Sequence, residues 1–308
     1  MSSNTEARAD SRRGLLMILL AAVMWGTVGV ATKSLYQLAD TNALSIGFFR
    51  LLISTPVLFA ACWRVLGARM LRIPRRDLAF MMLMGVAMAL YQVCYFAAIA
   101  RVGVAIAVLI TLCTAPVMVA LFSALLLRER LGRPTLLALG AALTGTVMLV
   151  WVRPEHGTSG QAIGVLLALC SALGYSAITL CSRTLAGRYH PLQPISIGFA
   201  AGTLLLLPFA LATGLVIHYP LAGWALLLHL GLVPTALAYV LFLAGIRHIT
   251  ATVATIATLI EPLTSTGLAW LLFGEQLGPL GLLGALLLLG AIGLLYAGTT
   301  RQASAATA

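Results

Sequence analysis

The chain has 308 residues, 61% of them hydrophobic and 9% charged, against roughly 45–50% and 25% in a soluble domain. That excess of apolar surface excludes a soluble fold. The net charge of +11 would suit a nucleic-acid partner only if the basic residues shared one face of a folded domain; they fall between apolar runs instead, and no nucleic-acid partner is expected.

Apolar runs of about twenty residues, each able to cross a hydrocarbon core of roughly 30 Å, follow one another along the chain. They predict ten transmembrane helices, over residues 14–35, 43–63, 78–99, 104–127, 134–151, 162–182, 194–215, 222–246, 250–273 and 280–297. Span 1 has a basic lead, Arg12 and Arg13, as a secretory signal would. Its apolar stretch is too long and lacks a small-residue cleavage site, so it is expected to remain in the mature protein. Segments 1–13 and 298–308 then flank the membrane part. All five cysteines (Cys62, Cys94, Cys113, Cys170 and Cys181) fall inside spans without paired spacing, and read as small packing residues rather than a disulfide framework or zinc site.

With the N-terminus inside, the inner segments hold fifteen arginines and the outer loops only Arg101 and Arg153. By the positive-inside rule both termini and loop 64–77 are expected in the cytoplasm, with loops 152–161 and 274–279 outside. Trp63, Trp151, Trp224 and Trp270 fall near span ends, where an amphipathic ring suits the interface, while Trp25 is in mid-span.

The two halves repeat. Ser45-Ile46-Gly47-Phe48 recurs as Ser196-Ile197-Gly198-Phe199, Trp25 aligns with Tyr175, and Lys33 with Arg183. Further on, Phe96 aligns with Phe242, Arg101 with Arg247, Pro116 with Pro262 and Glu129 with Glu275. Each half, 14–151 and 162–297, holds five spans, and an odd number inverts the second half relative to the first. The expected fold is therefore an all-α integral membrane protein of ten transmembrane helices in two inverted five-helix repeats. Inverted repeats are characteristic of secondary transporters, whose site lies near the midplane between the halves.

Several short motifs occur in a fixed order: Trp25-Gly26, Arg50, Tyr95-Phe96-Ala97-Ala98-Ile99-Ala100, and Pro116 followed by Arg128-Glu129-Arg130-Leu131. In the second half, Glu261-Pro262 precedes Phe273-Gly274-Glu275-Gln276-Leu277. In this order the chain resembles the drug/metabolite transporter superfamily, in its ten-helix branch of two EamA-type repeats. The resemblance implies a bacterial inner-membrane transporter of amino acids or related metabolites, working outward, with spans 1, 3, 4, 6, 8 and 9 around the path. Four-helix relatives use a membrane-embedded Glu in helix 1 for proton-coupled drug export; span 1 here has no acid.

Departures from the repeat point to function. Glu261, central in span 9, aligns with Ala115, and Arg50, roughly 10 Å inside span 2 by helical rise, aligns with Ala201. A charge at the bilayer centre costs about 2.5–3.5 kcal/mol even on the mild insertion scale, so such groups face a cavity or a partner. Arg50 could clamp a substrate carboxylate bidentately or pair with another helix to hold a gate. Thr258, Glu261 and Ser265 share one helix face, flanked by Thr255, and are expected to line the cavity; a structural Glu beside a Pro262 kink is the alternative. Lys33, near the outer end of span 1, either borders the path or snorkels to the interface. Trp25, Tyr91, Tyr95, Tyr175 and Tyr239 could wall the path or simply pack. Pro116 and Pro262 are expected to bend spans 4 and 9, and Gly140, Gly145, Gly284, Gly290 and Gly293 suggest close helix packing, either within the chain or in a homodimer.

Neither His-Glu-x-x-His nor a Gly-rich phosphate loop occurs, and His156, His190, His218, His229 and His248 are scattered. No enzymatic activity, cofactor or metal is expected. The expected partners are a small-molecule substrate and the lipid bilayer. Export of hydrophobic or cationic drugs, and a non-transporting membrane interaction module, remain as alternatives.

Overall fold

The computed structural model describes residues 2–127, 133–150, 157–185, 188–245, 248, 257–258 and 260–306. Its elements are α1 (Ser2–Leu38), α2 (Ala43–Leu66), a 3-10 turn (Gly67–Leu71), α3 (Arg75–Val102), α4 (Val104–Leu127), α5 (Arg133–Val150), α6 (Gly157–Leu185) and α7 (Leu192–Ala212). Next come α8 (Leu221–Gly231), a π-helical segment (Leu232–Leu237), α9 (Ala238–Gly245), α10 (Ile260–Phe273) and α11 (Gly278–Ala306). With α8, the π segment and α9 taken as one rod, these are ten helical spans, and the protein is an all-α, multi-pass membrane protein. Helix α1 begins within the polar lead rather than at residue 14, and α11 runs past residue 297.

Helix pairing shows the repeat in space. Helix α6 packs on α3 and α4, while its counterpart α1 packs on α9 and α10. The equivalent helices α2 and α7 pack on each other, as do α5 and α11.

Lipid offers no hydrophobic drive between helices, so close contact depends on small residues and satisfied polar groups. A Cβ on Gly85 of α3 would lie 2.6 Å from the Gly198 carbonyl oxygen of α7, so a larger residue would force the two backbones apart. Gly145 of α5 approaches the Gly284 carbonyl of α11 as closely, which makes these two glycines an intrachain contact. Gly140, Gly290 and Gly293 face open space. Large apolar side chains such as Leu204, Leu221, Leu271 and Leu286 point outward, as a surface solvated by acyl chains requires. Trp63 and Trp270 are among these exposed residues. Trp224 instead packs edge-on against Phe49 and Tyr219, and Trp151 lies outside the described residues.

At the α3 N-terminus, Arg188 donates to both Asp77 carboxylate oxygens at 3.0 and 3.1 Å and Tyr189 donates at 2.7 Å, fastening the α6–α7 connection. The bond to Asp77 pushes the Tyr189 phenol above its ordinary range. At the opposite end, α3 and α4 are separated only by Gly103, whose φ of +80° disfavours any residue with a Cβ.

Candidate functional site

The site is organised around Arg50. Its Nε donates to Thr235 Oγ1 at 2.8 Å, and its guanidinium carbon lies 5.8 Å from the centre of the Phe96 ring. The position of Thr235 follows from Pro234. A proline has no N–H, so the carbonyl four residues earlier, Leu230, loses its helical donor. The Thr235 hydroxyl donates to that carbonyl at 2.6 Å, across the π-helical segment, and its remaining lone pair accepts from Arg50. Helix α8 comes close enough because Gly231 sits against Ile53 and the Arg50 carbonyl.

Arg50 is 5% exposed, yet its Nη1 is buried without a hydrogen-bond partner. One helix away, Gln92 is 1% exposed and its Oε1 is likewise unpartnered. Buried polar atoms are nearly always satisfied, so the open donor on α2 and the open acceptor on the adjoining α3 stand out. No ion pair joins Arg50 to Glu261, yet the two charges interact electrostatically, and the hydroxyls of Tyr91, Tyr95 and Tyr239 feel both. These five side chains, from α2, α3, α9 and α10, therefore surround one centre.

Aromatic rings enclose that centre on two sides. Tyr91 stacks on Tyr95 with centroids 5.9 Å apart and meets Tyr175 of α6 edge-on at 5.5 Å. Across from them Trp25 contacts Tyr239 at 5.3 Å and Phe242 at 5.2 Å. The repeat equivalents Trp25 and Tyr175 thus each cap an aromatic group on the other half.

Ser265 is buried at the contact of α10 with α1, where a Cβ on Gly29 would lie 3.2 Å from its Oγ and 3.4 Å from the Tyr95 hydroxyl. Thr258 is partly buried. Pro262 is buried in the first turn of α10, and Gly26 of α1 packs against Thr264 and the Glu261 carbonyl. Pro116 lies within α4, but its side chain, like all of Thr255, is outside the described residues. Lys33 does not reach toward the centre. Its ammonium donates to Glu275 at 2.7 Å and stands 4.7 Å from the centre of the Phe273 ring.

Sequence reasoning missed Thr235 and Gln92. A polar amide within an apolar span was a readable signal for Gln92. Thr235 follows a proline in mid-span, which was also visible. A further polar contact, Thr27 Oγ1 with His229 Nε2 at 2.9 Å, joins α1 to α8.

A multi-pass helical protein with two interlocked halves and a charged, aromatic-walled centre belongs to the class of membrane transporters. The chain is a member of the EamA-like transporter family, whose profile matches residues 12–151 and again 162–297. It is 30% identical to the Bacillus subtilis protein named Uncharacterized transporter YwfM, over 89% of this chain and 91% of that protein. Identity is 28% both to the pseudopaline exporter CntI of Pseudomonas aeruginosa, over 90% and 93% of the two chains, and to the inner membrane transporter YicL of Salmonella typhimurium, over 96% and 99%. A solved crystal structure shares the fold, with a TM-score of 0.66 over 94% of this chain and 98% of that one at 21% identity.

Proposed function

We propose that the protein is a secondary transporter of the bacterial inner membrane that moves amino acids or related carboxylate-bearing metabolites outward by alternating access. Both termini are cytoplasmic in this reading, from the distribution of arginines. The observation that carries it is the buried, unpartnered Nη1 of Arg50. A carboxylate seated there would take the open donor and satisfy a charge that is otherwise only partly compensated. Glu261, across the same centre, offers the complementary charge for a substrate amine or a proton. The two unequal halves of a pseudo-symmetric pair can exchange outward and inward states at similar energy, which suits alternating access. The outward direction draws support from the name of the relative CntI, an exporter.

The aromatic groups around Trp25 and Tyr91 support a second reading, export of hydrophobic or cationic drugs, because such rings stack on flat apolar ligands and attract cations. Counterflow in proteoliposomes, screening labelled amino acids, cationic dyes and sugars, separates the two. Saturable exchange of amino acids that fails for dyes supports the first. Exchange of dyes alone replaces it with the second, and no saturable flux of any class points to a non-transporting interaction module.

A further inference from the structure

We propose that Lys33, Glu275 and the N-terminus of α4 form a latch that holds one end of the transport path closed and releases it in each cycle. The proposal rests on the alternating-access reading but concerns a place remote from the substrate centre.

Three segments that are distant in sequence converge on one carboxylate. Glu275 Oε1 accepts from Lys33 Nζ at 2.7 Å and from the Val104 N–H at 3.0 Å, and its Oε2 accepts from the Ala105 N–H at 2.9 Å. Glu275 belongs to the turn between α10 and α11, Lys33 to the last turns of α1, and Val104 and Ala105 open α4. The first N–H groups of a helix have no intrahelical acceptor and carry the positive end of its dipole, so an incoming carboxylate is favoured there. The tight turn at Gly103 exposes them: a Cβ at that position would lie 3.0 Å from Glu275 Oε1. One acid supplied by another part of the chain thus completes the α4 terminus and neutralises Lys33 together.

Its placement makes this arrangement a latch rather than a simple cap. Helix α1 packs on both α9 and α10, and α6 packs on both α3 and α4, so each set draws on both repeats; α4 also lies against α10, where the two sets meet. Glu275 and Lys33 sit at the end of the first set and the α4 N-terminus at the end of the second, so the carboxylate ties the sets together there, and parting them at that end requires its bonds to α4 to break. The side chains retain 26% and 16% of their accessible surface for Lys33 and Glu275. A fully buried pair would leave stranded charges on opening; a pair at the water's edge is rehydrated when it parts, so it can break and reform. The repeat pairs Lys33 with Arg183 and Glu275 with Glu129, so an acid and a base recur at the cognate positions of the inverted half. Glu129 and the Arg183 side chain lie outside the described residues.

Double electron–electron resonance in lipid nanodiscs tests the proposal without a substrate. Spin labels are placed at the exposed positions Arg101, at the end of α3, and Gln276, beside Glu275, in a chain whose five native cysteines are replaced. Glu275→Gln weakens the bridge to α4 and the pair with Lys33 together, and it should raise the long-distance, open population severalfold. Lys33→Met, which leaves the Glu275 cap of α4 in place, should raise it less, and Lys33→Arg should return the parental distribution. A stable Glu275→Gln or Glu275→Ala protein that shows the parental distribution overturns the latch. Because no transported solute enters the measurement, failure here is distinct from failure of the counterflow screen.

Discussion

The Thr235 hydroxyl stands between two buried groups, donating to the Leu230 carbonyl at 2.6 Å and accepting from Arg50 Nε at 2.8 Å. The irregularity at Pro234 thereby provides a fixed anchor for Arg50. The Arg50 Nη1 remains buried without a hydrogen-bond partner.

Thr235→Val should therefore act on both stability and recognition. It leaves the Leu230 carbonyl and Arg50 Nε unsatisfied in a buried place, at a cost of about 1–3 kcal/mol, visible as a lower unfolding temperature in detergent. The released Arg50 should also raise the apparent KM for the best substrate, while Thr235→Ser, which keeps the hydroxyl, should retain both values near the parent. A Thr235→Val protein with parental stability and KM would show that the bond has no such role.

Arg50→Lys is expected to keep expression but raise the apparent KM severalfold for carboxylate-bearing substrates, with little effect on a neutral or cationic one. Lysine supplies charge without the fixed fork that grips both oxygens of a carboxylate, and it cannot reach Thr235 and the centre at once. An equal loss for every substrate would assign Arg50 to holding α2 against the π segment alone.

Labelling from one side of the membrane tests the topology. Single cysteines at the exposed positions Arg72 and Gln276, in a chain without the five native ones, should react with an impermeant thiol reagent from opposite faces: Gln276→Cys from outside intact cells, Arg72→Cys only after permeabilisation. External reaction at position 72 would invert the orientation.

Particular residues show how far the sequence could be read. Arg50 and Glu261 stand out because a charge within an apolar run is costly wherever it sits, and the paired Phe96 and Phe242 or Trp25 and Tyr175 expose the repeat because they are spaced alike. What covers a side chain is not carried by spacing. The same helix face that bears Glu261 also bears Ser265, and only the packing of α1 reveals that Ser265 is enclosed beside Gly29. Pro234 announces an irregularity but not which hydroxyl repairs it. Lys33 and Glu275 are 242 positions apart, and their meeting depends on how the two halves close, a tertiary fact with no local signature.

Glu261 has its carboxylate within electrostatic reach of Arg50 and of the Tyr91, Tyr95 and Tyr239 hydroxyls, and its repeat partner is an alanine. Removing a carboxylate's charge from water is expensive unless a positive partner compensates it, and here Arg50 interacts with it electrostatically without forming an ion pair. That incomplete compensation leaves two ways to settle the charge: a proton on Glu261, or an ammonium brought in by the substrate. They lead to different outcomes for Glu261→Gln, which keeps the shape and removes the ionisable group. If protons couple transport, the variant should lose the dependence of flux on a pH gradient while counterflow exchange, which needs no net proton movement, stays measurable. If the substrate amine binds there, equilibrium binding of amines should weaken and the pH gradient should still drive what flux remains. A stable variant equal to the parent in gradient-driven flux, exchange and binding would reduce Glu261 to packing beside Pro262, with its carbonyl against Gly26 as the contact that keeps it in place.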